Sequence, residues 1–267
     1  MMRIGVVGCA GRMGRELLCE VQRSEKCELS AAVDVKESHS IGQDANKFVG
    51  LPQCGVIISD NVEEAFKASD AIIDFTSPNV TQHHLELSQE NGTNLVLGTT
   101  GHTEKGLADI EIAAKKVTIV KAMNFSIGVN LLFGLAKQVS EILNEDYDIE
   151  IMEMHHRNKV DVPSGTAIAL GEAAAKGRGK ALEEIADRGR DGITGARKRG
   201  NIGFSSLRGG EVIGDHSVIY ASDSEIIELV HKAGDRGIFS KGAVHASLWT
   251  EGQKPGLYNM LDVLGLI

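Results

Sequence analysis

Cysteine, proline, aromatic rings and positive charge are all scarce in this chain of 267 residues. The four cysteines, Cys9, Cys19, Cys27 and Cys54, form no C-x-x-C pair, and none lies in the second half. That argues against a disulfide framework or a zinc site, so no metal is expected, and it predicts reduced, mostly buried thiols in a cytoplasmic protein. Lys and Arg number 28 against 37 Asp and Glu, a formal net charge of −9. An acidic chain of this kind is a poor nucleic-acid partner by bulk electrostatics. No apolar run approaches the roughly 20 residues needed to span a bilayer. Met1-Met2-Arg3 passes at once into Ile4-Gly5-Val6-Val7, strand-like and too short for the apolar centre of a signal peptide, so no membrane partner is expected. Aromatic residues are only 4% of the chain, so the core must rest on Ile, Val, Leu and Ala, a mix that suits buried parallel strands covered by helices.

Against these absences stands a regular alternation of short apolar runs and helical patterns. Residues 4–7, 29–33, 56–58, 71–75, 95–97 and 117–120 read as strands. Residues 13–23, 62–68, 80–90 and 104–116 read as helices, the third closed by Asn91-Gly92. The rhythm predicts an α/β fold, a doubly wound parallel sheet with helices on both faces. After residue 126 it changes. A long amphipathic helix is expected over 129–143, then a two-faced strand over 148–154 and an Ala-rich helix over 167–176. Residues 177–200 read as a long exposed loop. Strands are expected at 202–207, 212–213, 217–220 and 225–231, so this part forms a second, mixed-sheet α+β region. Residues 242–264 return to a helical pattern.

The first strand runs straight into Gly8-Cys9-Ala10-Gly11-Arg12-Met13-Gly14. A dinucleotide-binding Rossmann unit needs a sharp turn here and a backbone that a pyrophosphate can approach, and glycine allows both. The helix that follows points unpaired N–H groups and its positive end at the phosphates. G-x-x-G-x-x-G is a variant of the common spacing, and Asp34 ends the second strand 20 residues after Gly14, where a ribose hydroxyl is normally held. A turn that merely packs helix on strand is the competing reading. Asp34 favours the free 2′-hydroxyl of NADH, whereas Arg12 and Lys36 can pair with the 2′-phosphate of NADPH, so both cofactors are expected. Two further loops leave strand carboxyl ends, Gly98-Thr99-Thr100-Gly101 and Ala122-Met123-Asn124-Phe125. Each reads equally well as lining a nicotinamide or as an ordinary turn.

The densest chemistry lies at Glu153-Met154-His155-His156-Arg157-Asn158-Lys159 and the following Val160-Asp161-Val162-Pro163-Ser164-Gly165-Thr166-Ala167. Two histidines follow a strand, Arg157 and Lys159 add positive charge, and Ser164 is placed to cap a helix whose first N–H groups belong to Gly165 and Thr166. Together they describe an anion-binding nook with titratable imidazoles beside it, suited to a small carboxylate and a proton donor. The remaining histidines are too scattered for a zinc site, and no G-x-S-x-G turn surrounds Ser164 to make it a nucleophile.

The run His155-His156-Arg157-Asn158-Lys159-Val160-Asp161-Val162-Pro163-Ser164-Gly165-Thr166-Ala167 closely resembles the signature of bacterial dihydrodipicolinate reductases. The glycine turn, Gly98-Thr99-Thr100-Gly101 and Asn124-Phe125-Ser126-Ile127-Gly128-Val129-Asn130 resemble the same family in the same order, over essentially the whole chain. The resemblance implies a dinucleotide-binding domain over 1–126 plus 236–267. It implies a substrate-binding and oligomerisation domain over 127–235, and a homotetramer assembled through the second sheet. It implies NADPH or NADH as hydride donor to a small dicarboxylate substrate, 4-hydroxy-tetrahydrodipicolinate, in the diaminopimelate route to lysine. His155 would be the proton donor and acceptor and Lys159 a second catalytic donor. His156, Gly165 and Thr166 would hold substrate carboxylates. Gly8, Cys9, Ala10, Gly11, Arg12, Met13, Asp34, Gly98, Thr99, Thr100, Ala122, Met123, Asn124 and Phe125 would hold the cofactor. Asp34-Val35 stands where relatives often carry Glu-Arg, which weakens the case for strong NADPH preference.

Two other readings remain at this level. One is a different reductase with the same nucleotide domain, such as an amino-acid or semialdehyde dehydrogenase. The other is a redox sensor that binds the nucleotide without catalysis and has no need of His155 and Lys159. The 177–200 stretch carries Arg178, Lys180, Arg188, Arg190, Arg197, Lys198 and Arg199 against four acidic residues, and is expected to be a solvated loop.

Overall fold

The computed structural model of the chain describes residues 1–266. Its contacts divide into two compact units, residues 1–127 with 237–265, and residues 128–236 with Leu266. The first unit opens with β1 (Met2–Val7), buried at all but Arg3, as a strand covered on both faces must be. α1 (Arg12–Arg23) buries Gly14, Leu17, Leu18 and Val21 on one side, at the spacing of a helix face. β2 (Cys27–Val33), α2 (Ala45–Phe48) and α3 (Val62–Ala68) follow. Next come β3 (Ala71–Asp74), buried throughout, and α4 (Pro78–Asn91), which begins on a proline and ends at Gly92 in the left-handed region (φ 69°). β4 (Asn94–Leu97), α5 (Glu104–Ala113) and β5 (Thr118–Lys121) complete this run.

Residues 56–58 do not form the expected strand. Their backbone bonds go to residues 42–45, and Ser59 makes one bridge to the end of β2. The segment makes only single bridges, Ile57 to Asp44 and Ser59 to Val33, so period-two patterning had no ladder to join.

The second unit contains α6 (Ile127–Ile142) apart from its first residue, then β6 (Asp148–His155) and α7 (Gly165–Gly177). α8 (Leu182–Ile185) and the short β7 (Ala186–Asp187) lie within the stretch read as an exposed loop. Its basic residues are not simply solvated. Arg197 bonds Asp148 and Glu150, Arg190 also pairs with Glu150, and the Arg178 guanidinium donates to the carbonyl of Tyr147. β8 (Ile202–Arg208), β9 (Asp215–Ala221) and β10 (Ile226–Lys232) finish a five-stranded mixed sheet in the order β10-β9-β6-β8-β7. Residues 212–213 lie in the turn before β9 and are not a strand. β6 alternates: Ile149, Ile151, Glu153 and His155 are buried, and Met152 between them is exposed. Its apolar half joins Leu132, Ala136, Leu170 and Tyr220 in a core under the helices.

The chain then returns to the first unit through α9 (Gly237–Trp249), β11 (Gly256–Tyr258) and α10 (Met260–Val263). β11, which the helical pattern over 242–264 concealed, adds to the sheet edge beside β5. The six-stranded order is β11-β5-β4-β3-β1-β2, parallel throughout. Chain connections leave β1 toward β2 on one side and later toward β3 on the other. The glycine turn therefore sits at the switch point, where open α/β sheets bind ligands. Among the described residues no helix is long and apolar enough to cross a membrane.

Candidate active site

The glycine turn is shaped by close backbone approach. Gly8 is left-handed (φ 68°), and a Cβ there would lie 2.8 Å from Thr76 Cγ2. A Cβ on Gly14 would run into the Gly8 carbonyl and the Cys9 backbone. Gly11 caps α1 with no side-chain bond, so the first N–H groups of the helix are left to an anion. The Asp34 carboxylate accepts the Ala10 N–H at 2.6 Å and the Val35 N–H at 2.8 Å, which locks the end of β2 to the turn. Asp34 and Asp60 both line a pocket of about 400 Å³ beside Gly8, Gly11, Phe75 and His84. Arg12 and Lys36 are exposed. Cys9 is fully buried, and burial followed by the nearby Asp34 charge pushes its thiol up to about 12, so it is an inert packing group.

The Thr99 loop is anchored by groups that sequence reasoning passed over. Asp74, at the end of β3, is completely buried. It accepts from the Thr76 N–H and hydroxyl, from the Thr99 hydroxyl at 3.1 Å and from His84 Nδ1 at 2.7 Å. Burial pushes this carboxyl up, but His84 and Thr76 outweigh it and hold it below the usual range. Gly98 is required here because a Cβ would enter the Phe75 ring. In the second loop Met123 is 76% exposed, whereas Phe125 is buried with its ring 5.3 Å from that of Phe75. Phe125 is thus core, with its carbonyl oxygen packed closely against Gly242 of α9. Asn124 Oδ1 accepts the Ser126 N–H.

In the second unit, β6 delivers His155 at its last position with 8% exposure. His155 Nδ1 lies 2.5 Å from Glu153 Oε2. Arg208, paired with His155 across the β6–β8 ladder, donates to both Glu153 oxygens at 2.9 Å. The Ser164 N–H also points at Glu153 Oε1, at 3.3 Å. Burial pushes Glu153 up, but the bonds from Arg208 and His155 hold it below the usual carboxylate range. His216 of β9 meets the His155 ring edge-on, and its Nε2 is 3.2 Å from the Ser164 hydroxyl. Burial, then the neighbouring His155, pushes His216 down to about 4.

Ser164 caps α7 as its position suggested, accepting the Ala167 N–H at 3.2 Å. Gly165 is exposed, with nothing within 4 Å of where a Cβ would stand, so the helix N-terminus is open. Lys159 Nζ lies 2.9 Å from Asp161 Oδ1, a partner the sequence reading did not give it. His156 is half-buried in the same turn, whose backbone closes through the Lys159 N–H on the His156 carbonyl. Among the described residues no group of three His, Cys, Asp or Glu could hold a metal ion. Glu153 was visible as the residue two before His155 on one strand face. Arg208 and His216 come from other strands, 53 and 61 residues beyond His155, and no local pattern points to them.

Comparison with known proteins bears on both halves. Residues 2–125 match the family model described as Dihydrodipicolinate reductase, N-terminus, and residues 128–264 match the corresponding C-terminus. A 4-hydroxy-tetrahydrodipicolinate reductase of Ruegeria sp. (strain TM1040) is 50% identical over 264 residues, 98% of each chain. One from Rhodopseudomonas palustris (strain BisB18) is 50% identical over 265 residues, 99% of this chain and 98% of the relative. Among solved structures, the dipicolinate-bound dihydrodipicolinate reductase of Paenisporosarcina sp. TG-14 superposes with a TM-score of 0.79 at 26% identity, covering 98% of both chains. A probable dehydrogenase from Thermotoga maritima shares the fold, with a TM-score of 0.61 at 13% identity over 99% of this chain and 93% of that one.

Proposed function

The chain belongs to the dihydrodipicolinate reductase family, and from that premise we propose that it converts 4-hydroxy-tetrahydrodipicolinate, NAD(P)H and a proton to tetrahydrodipicolinate, NAD(P)+ and water, in the diaminopimelate route to L-lysine. The observation that carries the reading is His155, buried at the end of β6 with Nδ1 on a clamped carboxylate, in the turn that leads to the open N-terminus of α7. A nucleotide-binding protein that only sensed redox state would have no use for that arrangement.

The residues present fit a dinucleotide: the Gly8 and Gly14 positions admit no side chain, and the first turn of α1 is uncapped. Gly8, Cys9, Ala10, Gly11, Arg12 and Met13 would form the turn round the pyrophosphate, with the N–H groups of Arg12 and Met13 at the uncapped start of α1 directed to it, and Asp34 would hold the ribose. Gly98, Thr99, Thr100 and residues 122–125 would line the nicotinamide, which supplies hydride when bound. Both NADH and NADPH serve, with NADH the tighter. Asp34 and Asp60 line the pocket and repel a 2′-phosphate, which Arg12 and Lys36 only partly offset.

Lys159, His156 and the N–H groups of Gly165 and Thr166 bind the two substrate carboxylates. Lys159 must exchange Asp161 for substrate, a small cost for a solvent-facing pair. His155 supplies the proton that accompanies hydride addition to the ring. The exposed apolar residues Met152, Leu207, Ile226 and Val230 on the outer face of the second sheet support assembly of a cytoplasmic homotetramer through that face. The test is loss of nicotinamide absorbance with substrate generated in situ, run with NADH and with NADPH. Turnover with both supports the reading, and no turnover with either overturns it.

A further inference from the structure

Ser206, Glu153, His216 and His231 stand opposite one another across β8, β6, β9 and β10, a polar rank through the second sheet. Glu153 is the one carboxylate in it and is 1% exposed. Removing a carboxylate from water costs several kcal/mol unless its oxygens are fully engaged. Here they are. Both oxygens take Arg208, one also takes the Ser164 N–H and the other His155 Nδ1. Donors from three separate elements prevent the carboxylate from turning. Packing alone would be served as well by an apolar residue of the same size.

The consequence falls on His155. A carboxylate on Nδ1 requires the hydrogen there, which leaves Nε2 to exchange protons. Nε2 faces Gly214, where a Cβ would stand 2.9 Å away, and Gly214 has a φ of 159°. The nitrogen is thus bordered by bare backbone. The other charged or titratable groups packed round it do not compete for Nδ1. Lys159 is paired with Asp161, His216 and His231 are both pushed down by burial, and Asp215 lies next to His216 at the start of β9.

We infer that Glu153, clamped by Arg208, is the positioning residue of the proton donor: it fixes Nδ1 of His155 and presents Nε2, beside Gly214, to the reacting ring. This rests on the proposed role of His155. Two measurements test it on the full-length enzyme. In wild-type protein with ¹⁵N-labelled histidine, neutral His155 should carry its hydrogen on Nδ1; hydrogen on Nε2 overturns the inference whatever any variant does. In Glu153→Gln, kcat should fall about tenfold or more with KM for the dicarboxylate within about twofold. An unchanged kcat, or a KM that rises in step with the loss of kcat, overturns the inference. Full kcat in His155→Ala would instead strike the proposed function, and the tautomer measurement would still report on the Glu153 bond.

Discussion

His155 and His216 meet edge to face with ring centroids 5.2 Å apart, yet they are held by opposite kinds of partner. His155 leans on the Glu153 carboxylate, and His216 on the Ser164 hydroxyl that caps α7. Two adjacent imidazoles are in this way given different tasks. One can carry a proton in contact with a negative group, while the other stays neutral and braces the helix that offers its N-terminus to an anion.

The neutral state of His216 has a cost that depends on pH. Burial first, and His155 second, lower it to about 4 from an ordinary value of 6.5. Between those values the unfolded chain binds a proton that the folded one refuses, so stability falls as pH drops from 6.5 toward 4. The full loss is at most about 3 kcal/mol. His216→Gln keeps a hydrogen-bonding amide near Ser164 and should flatten this slope. Urea midpoints at neutral and mildly acidic pH compare the two, and an equal slope in both proteins would assign the effect to other groups.

Removing Arg208 leaves Glu153 buried without its cation. Arg208→Met should destabilise the protein by about 3 kcal/mol, as for other broken buried pairs. Adding Glu153→Gln should recover part of that loss, because the stranded charge is then gone. Denaturant unfolding of the single and double variants gives the coupling directly. A double variant no more stable than Arg208→Met would mean that the pair does not interact.

His155 and Lys159 should separate kinetically. His155→Ala should lower kcat roughly 10²-fold with little change in KM, the pattern of a lost proton donor. Lys159→Ala should lower kcat and raise KM together, since it both contacts a carboxylate and acts in turnover. Steady-state kinetics at saturating nucleotide distinguishes them, and unchanged rate and affinity in Lys159→Ala would remove it from the site.

Asp34 should set the balance between nucleotides. Asp34→Asn can still accept the Ala10 N–H while losing the charge that repels a 2′-phosphate. The ratio of kcat/KM for NADPH to that for NADH should rise about tenfold. A constant ratio would shift the discrimination to Asp60 or to the basic residues Arg12 and Lys36.

Much of the nucleotide unit was readable from residue order. Strands there are short, buried and locally apolar, and the helices between them carry their own caps and stops, such as Asn91-Gly92 and Thr103. The exceptions have local causes. Residues 56–58 look like a strand but find only single bridges, and Gly256–Tyr258 is a strand too short and too close to Pro255 to read as one. The 177–200 stretch looked solvated because charge was all it displayed. Two of its arginines, Arg190 and Arg197, are held by Asp148 and Glu150 on β6, a match that depends on the fold.

Residue order is enough to specify the switch-point turn, since only glycines survive the contacts at positions 8 and 14. It also determined the presence of His155, Lys159 and the Ser164 cap, all within one continuous run. Tertiary structure alone decided what surrounds them. Arg208 and His216 reach Glu153 and His155 through the parallel β6–β8 and antiparallel β6–β9 registers. Strand register is set by the whole sheet and the core beneath it, not by neighbours in the chain. The histidine motif was therefore legible as chemistry, while the carboxylate and guanidinium that orient it appear only once the strands are side by side.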